Sequence, residues 1–197
     1  MHEQGDEIYG SIGKYERSLS DKGLPDIPAP RIAPHERKDD YADLDPAIRK
    51  RMLSTFRVFF RHLPIRYFCL ALRTREYPTP RAVEDEMRRR LIGALFDDLG
   101  YLQGFDTVKI YYDNGQKAVA TALHKAIDYA LSKNAVVYMP ADPAPYRLSQ
   151  VADYLCTVEL TGLKFADHAT TATDEKFFGS WSMFKKGVLK EARMKAL

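Results

Sequence analysis

Three polar side chains in the second half of the chain stand where a site could form. Asp113 directly follows the apolar run at 107–112, and Gln150 and Asp153 lie three residues apart in a segment with helical spacing. Ligands collect outside the carboxyl ends of strands in open α/β sheets, and side chains at i and i+3 share one face of a helix. Oxygen ligands of this kind suit a hard divalent cation such as Mg²⁺.

Each of these residues also has a purely structural interpretation. Asp113 opens the sequence Asp-Asn-Gly, which is typical of turns, and it could cap the helix that follows. Asp153 could be paired with an arginine, because carboxylates are rarely buried without a partner. Gln150 could hydrogen-bond a loop. The residue types and their spacing leave these alternatives open.

The elements that must position these residues form an alternating pattern of strands and helices. Apolar segments at 65–73, 107–112 and 135–139 predict three strands, and the first is apolar at nearly every position, as expected of a strand covered on both faces. Helical spacing separates the three segments, which favours parallel pairing through right-handed crossovers. The fold class that follows is α/β and helix-rich, with an incomplete mixed or parallel sheet.

Capping signals and apolar spacing locate the helices. The pairs Asp45-Pro46 and Thr79-Pro80 are typical helix starts, and Gly23 followed by Pro25 is a typical stop. The spacing predicts a first helix through Ile8, Ile12, Tyr15 and Leu19, a helix over 146–164 with Leu160 and Leu163 facing the core, a short helix capped at Thr173-Asp174, and a last helix over 182–194.

Composition bounds the class of protein. The 197 residues carry a net charge of +3 and are 45% apolar, which excludes a disordered chain and does not by itself predict nucleic-acid binding. The cysteines Cys69 and Cys156 have no metal-ligand spacing, and we expect two buried, reduced thiols. The N-terminal sequence lacks the pattern of a secretory signal, and no run approaches the ~18 apolar residues of a membrane span. We therefore expect a cytoplasmic protein that does not enter a membrane.

Several stretches resemble a bacterial family of proteins known as domain of unknown function 3800. They are YYDNGQ at 111–116, YRLSQVADYLCTVEL at 146–160, LPIRY at 63–67, and FFG at 177–179 followed by Lys185-Lys186 and Lys190. The resemblance implies a ribonuclease-H-like, three-layer architecture. It also implies that Asp113 and Asp153 are the second and third acids of a catalytic site, with Gln150 beside them.

That family carries an Asp-Glu-Ser-Gly motif on its first strand, which this sequence does not contain. The expectation is a single ribonuclease-H-like domain over 1–197 that begins after the first hairpin, with a helical tail at about 173–197. A sheet that lacks its first hairpin has unpaired edges, and we expect a homo-oligomer or a partner chain to complete it.

The activity implied by the resemblance is metal-dependent hydrolysis of phosphodiester bonds. Two Mg²⁺ or Mn²⁺ ions held by carboxylates would activate water and neutralise the leaving oxygen. Asp113 and Asp153 would be metal ligands, and both would be catalytic together with Gln150. Without the first acidic strand we expect this site to be incomplete or inactive in this chain alone.

The alternative function is a non-catalytic nucleic-acid- or protein-binding module of a mobile-element or phage-defence system. Lys185, Lys186 and Lys190 are interleaved with aromatic residues, a mixture suited to phosphate contact and base stacking (Phe177, Phe178, Trp181 and Phe184). The same aromatics could instead anchor the tail to the core. A second basic cluster, at 88–90, and the lysines themselves could also be ordinary solvated helix faces.

Overall fold

A computed structural model describes residues 1, 3, 5–27, 43–112, 117–131, 135–140 and 146–197. The chain divides into two compact units. The first combines Met1–Cys69 with Pro143–Leu197, and the second is Leu70–Asp142.

Helices dominate the described residues. In chain order they are α1 (Asp6–Asp21), α2 (Pro46–His62), α3 (Pro80–Asp97), α4 (Leu99–Leu102), α5 (Lys117–Ala130), α6 (Arg147–Ala166), α7 (Ala172–Phe178), α8 (Trp181–Phe184) and α9 (Lys190–Arg193). The strands are β1 (Thr107–Tyr112) and β2 (Ala135–Pro140). A 3₁₀ turn spans Thr74–Glu76, and a π-helical turn at Lys185–Leu189 joins α8 to α9.

The helix starts follow the capping residues of the sequence. The Asp45 carboxylate accepts a hydrogen bond from the Ala47 amide at 2.7 Å, and the Thr79 hydroxyl accepts one from the Ala82 amide at 3.2 Å. Each cap is followed by proline at the first helical position, as predicted. The predicted cap of α7 was wrong by two residues: Thr171 is the N-cap, and the Asp174 carboxylate completes a capping box with it.

The first unit is a helical assembly around one apolar cluster. α1 contributes Ile8, Tyr15 and Leu19, as its spacing predicts, and α6 contributes Val151, Tyr154, Leu155 and Val158. The expectation that Leu160 and Leu163 of α6 face the core was wrong, since they are 49% and 38% exposed. The buried stripe of α6 continues instead through Thr161 and Gly162, which lies against the Leu189 side chain.

The second unit contains a strand–helix–strand motif. β1 and β2 pair in parallel from Thr107↔Ala135 to Tyr112↔Pro140, and α5 is the crossover between them. α3 packs against α5, and the buried residues of the two helices include Leu91, Leu95, Ala122 and Ala126. The predicted α/β class is confirmed in this form: a helix-rich chain with a small parallel sheet.

The third predicted strand, at 65–73, was wrong. Within the described residues the sheet has two strands, and this segment forms a single β-bridge, between Tyr67 and Ala196. The Tyr67 amide donates to the Lys195 carbonyl, and the Leu197 amide donates to the Tyr67 carbonyl. The side chains at 68–73 are partly or fully exposed. The apolar composition of this segment therefore does not indicate a strand that is covered on both faces. The segment pairs with the end of the chain instead of joining the sheet.

Two other expectations concern the exposure of the cysteines and the presence of membrane-spanning helices. Cys69 and Cys156 are exposed free cysteines, so the prediction of two buried thiols was wrong. Among the described residues, every helix is too short or too polar to span a bilayer.

Candidate functional site

The first half of α6 carries two of the predicted site residues. The helix begins at Arg147, which is 6% exposed and forms ion pairs with Glu16 and Asp26. These contacts fix the start of α6 against α1 and the segment after it. One turn later, Gln150 is buried and Asp153 is partly buried. The i, i+3 spacing thus places an amide and a carboxylate on adjacent turns of one helix.

The third predicted residue, Asp113, lies outside the described residues. Its position falls in the sequence range of the second unit, whereas Gln150 and Asp153 belong to the first. The pairing of Asp113 with Asp153 therefore stays a prediction. In the part of the chain that the structure describes, no group of three or more His, Cys, Asp or Glu side chains is arranged to hold a metal ion.

The C-terminal helical segment presents an exposed basic and aromatic surface, which we call the tail surface. It consists of Trp181, Lys185, Lys186 and Lys190, all of them exposed. The Lys185 ammonium lies 5.5 Å from the centroid of the Trp181 ring, within the range of a cation–π contact. An indole face beside several ammonium groups is suited to a stacked base with adjoining phosphates.

Buried aromatic residues hold this segment in place. Phe178 and Phe184 are 5% and 0% exposed, and Phe165 of α6 stacks on Phe184 at a centroid distance of 5.4 Å. Trp181 also contacts Phe165, at 5.4 Å, but remains 40% exposed. The aromatics of this segment could either anchor it to the core or stack on bases. Phe178 and Phe184 anchor it, while Trp181 has a face open to solvent and could stack.

The π-helical turn explains how the lysines come to lie outside. Phe184, Val188 and Leu189 are all buried, although in a regular α-helix residues i and i+5 point about 140° apart. The wider turn at Lys185–Leu189 brings the i+5 position closer to the buried side. Lys185 and Lys186 occupy the opposite side of that turn and are exposed. Single π turns inside helices are frequent at functional sites.

The two basic clusters of the sequence differ in their pairing. Arg88 binds Asp85 at 3.1 Å, while Arg89 and Arg90 bind Glu86 at 2.7 and 2.6 Å. Hydrogen bonds from Arg89 and Arg90 lower the pKa of Glu86 to about 2, so this carboxylate stays charged. By contrast, Lys185, Lys186 and Lys190 form no ion pair with any other described residue. Their charges are available to an external anion.

Glu159 has a role that its place on the helix does not signal. It accepts hydrogen bonds from the Tyr67 hydroxyl at 2.8 Å and from the Arg193 guanidinium at 2.9 Å. Burial would raise the pKa of Glu159, but the hydrogen bonds from Arg193 and Tyr67 outweigh it and hold the pKa below its usual value. Both partners are distant in sequence, so no local pattern signals the cluster.

Comparisons with protein-family models, with curated proteins and with solved structures find no match to this chain.

Proposed function

We propose that this chain is a nucleic-acid-binding module that contacts its ligand through the tail surface. The observation that carries the proposal is the set of exposed lysines, Lys185, Lys186 and Lys190, which have no carboxylate partner among the described residues and lie beside an exposed indole. Lysines that meet phosphates release counterions, which supplies a salt-dependent affinity for any nucleic acid. Trp181 adds stacking, which favours a single strand because its bases are accessible.

The test is binding of a fluorescently labelled single-stranded oligonucleotide, followed by anisotropy. We expect the triple variant Lys185→Ala, Lys186→Ala, Lys190→Ala to bind at least about tenfold more weakly than the unmodified chain. The matched control is Arg88→Ala, Arg89→Ala, Arg90→Ala, which removes the same charge from a cluster already paired with acids. That control should bind as the unmodified chain does. If both triple variants lose the same affinity, binding would depend on net charge in general and not on the tail surface, which would contradict the proposal.

A second candidate function is metal-dependent hydrolysis of phosphodiester bonds in a ribonuclease-H-like fold. The observation that favours it is the partly buried carboxylate of Asp153 one turn after the buried amide of Gln150. Carboxylate oxygens are hard ligands and fit Mg²⁺ or Mn²⁺. Asp113 and Asp153 would hold the metal, which would activate water when bound, and Gln150 would position Asp153 through hydrogen bonds. The parallel strand–helix–strand motif of β1, α5 and β2 is compatible with this architecture.

Cleavage assays with Mg²⁺ and with Mn²⁺ test the hydrolytic candidate. We expect Asp153→Asn and Asp113→Asn to abolish cleavage while binding at the tail surface is unchanged. Cleavage that persists in Asp153→Asn would contradict the catalytic role of Asp153, and the absence of cleavage with either ion would contradict the hydrolytic candidate. For the geometry, cysteines placed by Asp113→Cys and Asp153→Cys should cross-link in a Cys69→Ser, Cys156→Ser background. Failure to cross-link argues against a shared metal.

A further inference from the structure

The two cysteines of the chain, Cys69 and Cys156, belong to the same compact unit. Both are free and exposed, so small reagents can reach them. One lies on the non-helical segment after α2 and the other on α6. Neither takes part in the proposed nucleic-acid contact, so a reaction between them is independent of that function.

The contact between Tyr67 and Glu159 aligns the segments that carry the cysteines. The Tyr67 hydroxyl is 2.8 Å from a Glu159 carboxylate oxygen, and Tyr67 lies in a β-bridge, where the chain is extended. In an extended chain, side chains at i and i+2 point to the same side, so we expect Cys69 to lie on the side of its segment that Tyr67 turns toward α6. On α6, Cys156 precedes Glu159 by three residues and shares its face. The segments that carry the two thiols therefore face each other, and Cys156 contributes to the electrostatic surroundings of Cys69.

We propose that Cys69 and Cys156 form a reversible intramolecular disulfide when the chain meets a peroxide. The thiolate of one cysteine attacks the peroxide oxygen, giving a sulfenic acid and releasing water after protonation. The thiol of the other cysteine then displaces hydroxide from that sulfur, which leaves as a second water. One S–S bond forms, two S–H bonds break, and hydrogen peroxide is reduced to two waters.

The bond would tie the segment after α2 to the middle of α6. It would join residues far apart in sequence, and a long closed loop strongly constrains the unfolded chain. We therefore expect the oxidised protein to unfold at a higher urea concentration than the reduced protein. Burial raises the pKa of Cys156, which slows its reaction near neutral pH, and Cys69 is affected in the same way. Desolvation raises the pKa of Cys69 to about 11, with contributions from Cys156 and Glu159 opposed by Arg193. The reaction should accordingly be faster at alkaline pH than at neutral pH, because the thiolate is the reactive form.

The test is intact-mass analysis of the full chain after treatment with hydrogen peroxide, denaturation and alkylation without reductant. We expect the oxidised monomer to lose two hydrogens and take up no alkylating reagent, and dithiothreitol to restore both reactive thiols. In Cys69→Ser and in Cys156→Ser this product should be absent. These variants should fold, since both positions are exposed. A disulfide-linked dimer as the main product, or independent oxidation of each cysteine to sulfinic acid in the unmodified chain, would overturn the proposal.

Discussion

At the residue scale, Glu159 is a carboxylate whose surroundings differ from those of a surface acid. Its side chain is 14% exposed and accepts hydrogen bonds from Tyr67 and Arg193. It links the segment after α2, the middle of α6 and the helix at the end of the chain. Because its partners lie on separate segments, loss of its charge should loosen all three at once.

We predict that Glu159→Gln lowers the free energy of unfolding by about 1–2 kcal/mol at neutral pH, since it weakens charge-assisted hydrogen bonds. The folded-state pKa of Glu159 is below its ordinary value, so its contribution is present above the unfolded pKa of about 4.3 and is lost as the pH falls through the folded pKa. The difference between the unmodified chain and the variant should therefore shrink in acid. Urea denaturation at a series of pH values measures it.

Glu76→Gln provides the control for this measurement. Glu76 is exposed in the 3₁₀ turn, and its replacement by glutamine removes the same charge as Glu159→Gln does. It should change the free energy of unfolding by less than about 0.5 kcal/mol at every pH. If both variants lose the same stability, the cluster around Glu159 contributes nothing specific.

At the element scale, the last helical segment is held by a few buried side chains. Phe184 is fully buried and contacts Phe165 and Phe178, while its neighbour Met183 is 69% exposed. The tail surface depends on this anchoring, because Trp181, Lys185 and Lys186 are carried by the same segment.

Replacing these adjacent residues tests the anchoring. We predict that Phe184→Ala costs about 3–5 kcal/mol of unfolding free energy, through lost burial and a cavity, and that Met183→Ala costs less than about 0.5 kcal/mol. Urea denaturation followed by far-UV circular dichroism measures both. Similar small effects would show that the segment does not pack as described.

Elements were predictable from the sequence where their signals are local. The starts of α2 and α3 follow from caps at Asp45 and Thr79, and β1 and β2 follow from short apolar runs. The segment at 65–73 was not predictable, because the bridge that it forms within the described residues is to Ala196, which is far away in sequence. Of the site residues, the lysines are recognisable in the sequence as a basic cluster, but their exposure depends on the π-helical turn, and their lack of ion-pair partners among the described residues depends on tertiary structure.

At the scale of the whole molecule, the charge balance limits how strongly the chain can attract a nucleic acid. The net charge is only +3, so affinity must come from local contacts and not from a strong overall field. With three phosphate contacts, the logarithm of the association constant should fall against the logarithm of salt concentration with a slope of about −2 to −3. Titrations at several salt concentrations measure this slope, and a value near zero would contradict ionic contact.

A partner that completes the sheet is the other expectation at this scale. The Tyr138 hydroxyl donates to Asp128 of α5, so Val137, the preceding residue of β2, points to the opposite face, where it is 42% exposed. Parallel sheets are normally covered on both faces. We predict concentration-dependent self-association in sedimentation velocity, lost in Val137→Lys and retained in Val119→Lys on α5. A monomer at all concentrations would contradict the prediction.

The most direct test of nucleic-acid binding uses Trp181, because it is the single tryptophan of the chain. Its fluorescence, measured during titration with an unlabelled single-stranded oligonucleotide, reports contact at the tail surface itself. The proposed contact predicts saturable quenching that weakens with salt and requires roughly tenfold or more oligonucleotide in the triple lysine variant. Fluorescence that stays unchanged while the oligonucleotide binds would place the contact elsewhere and contradict the proposed function.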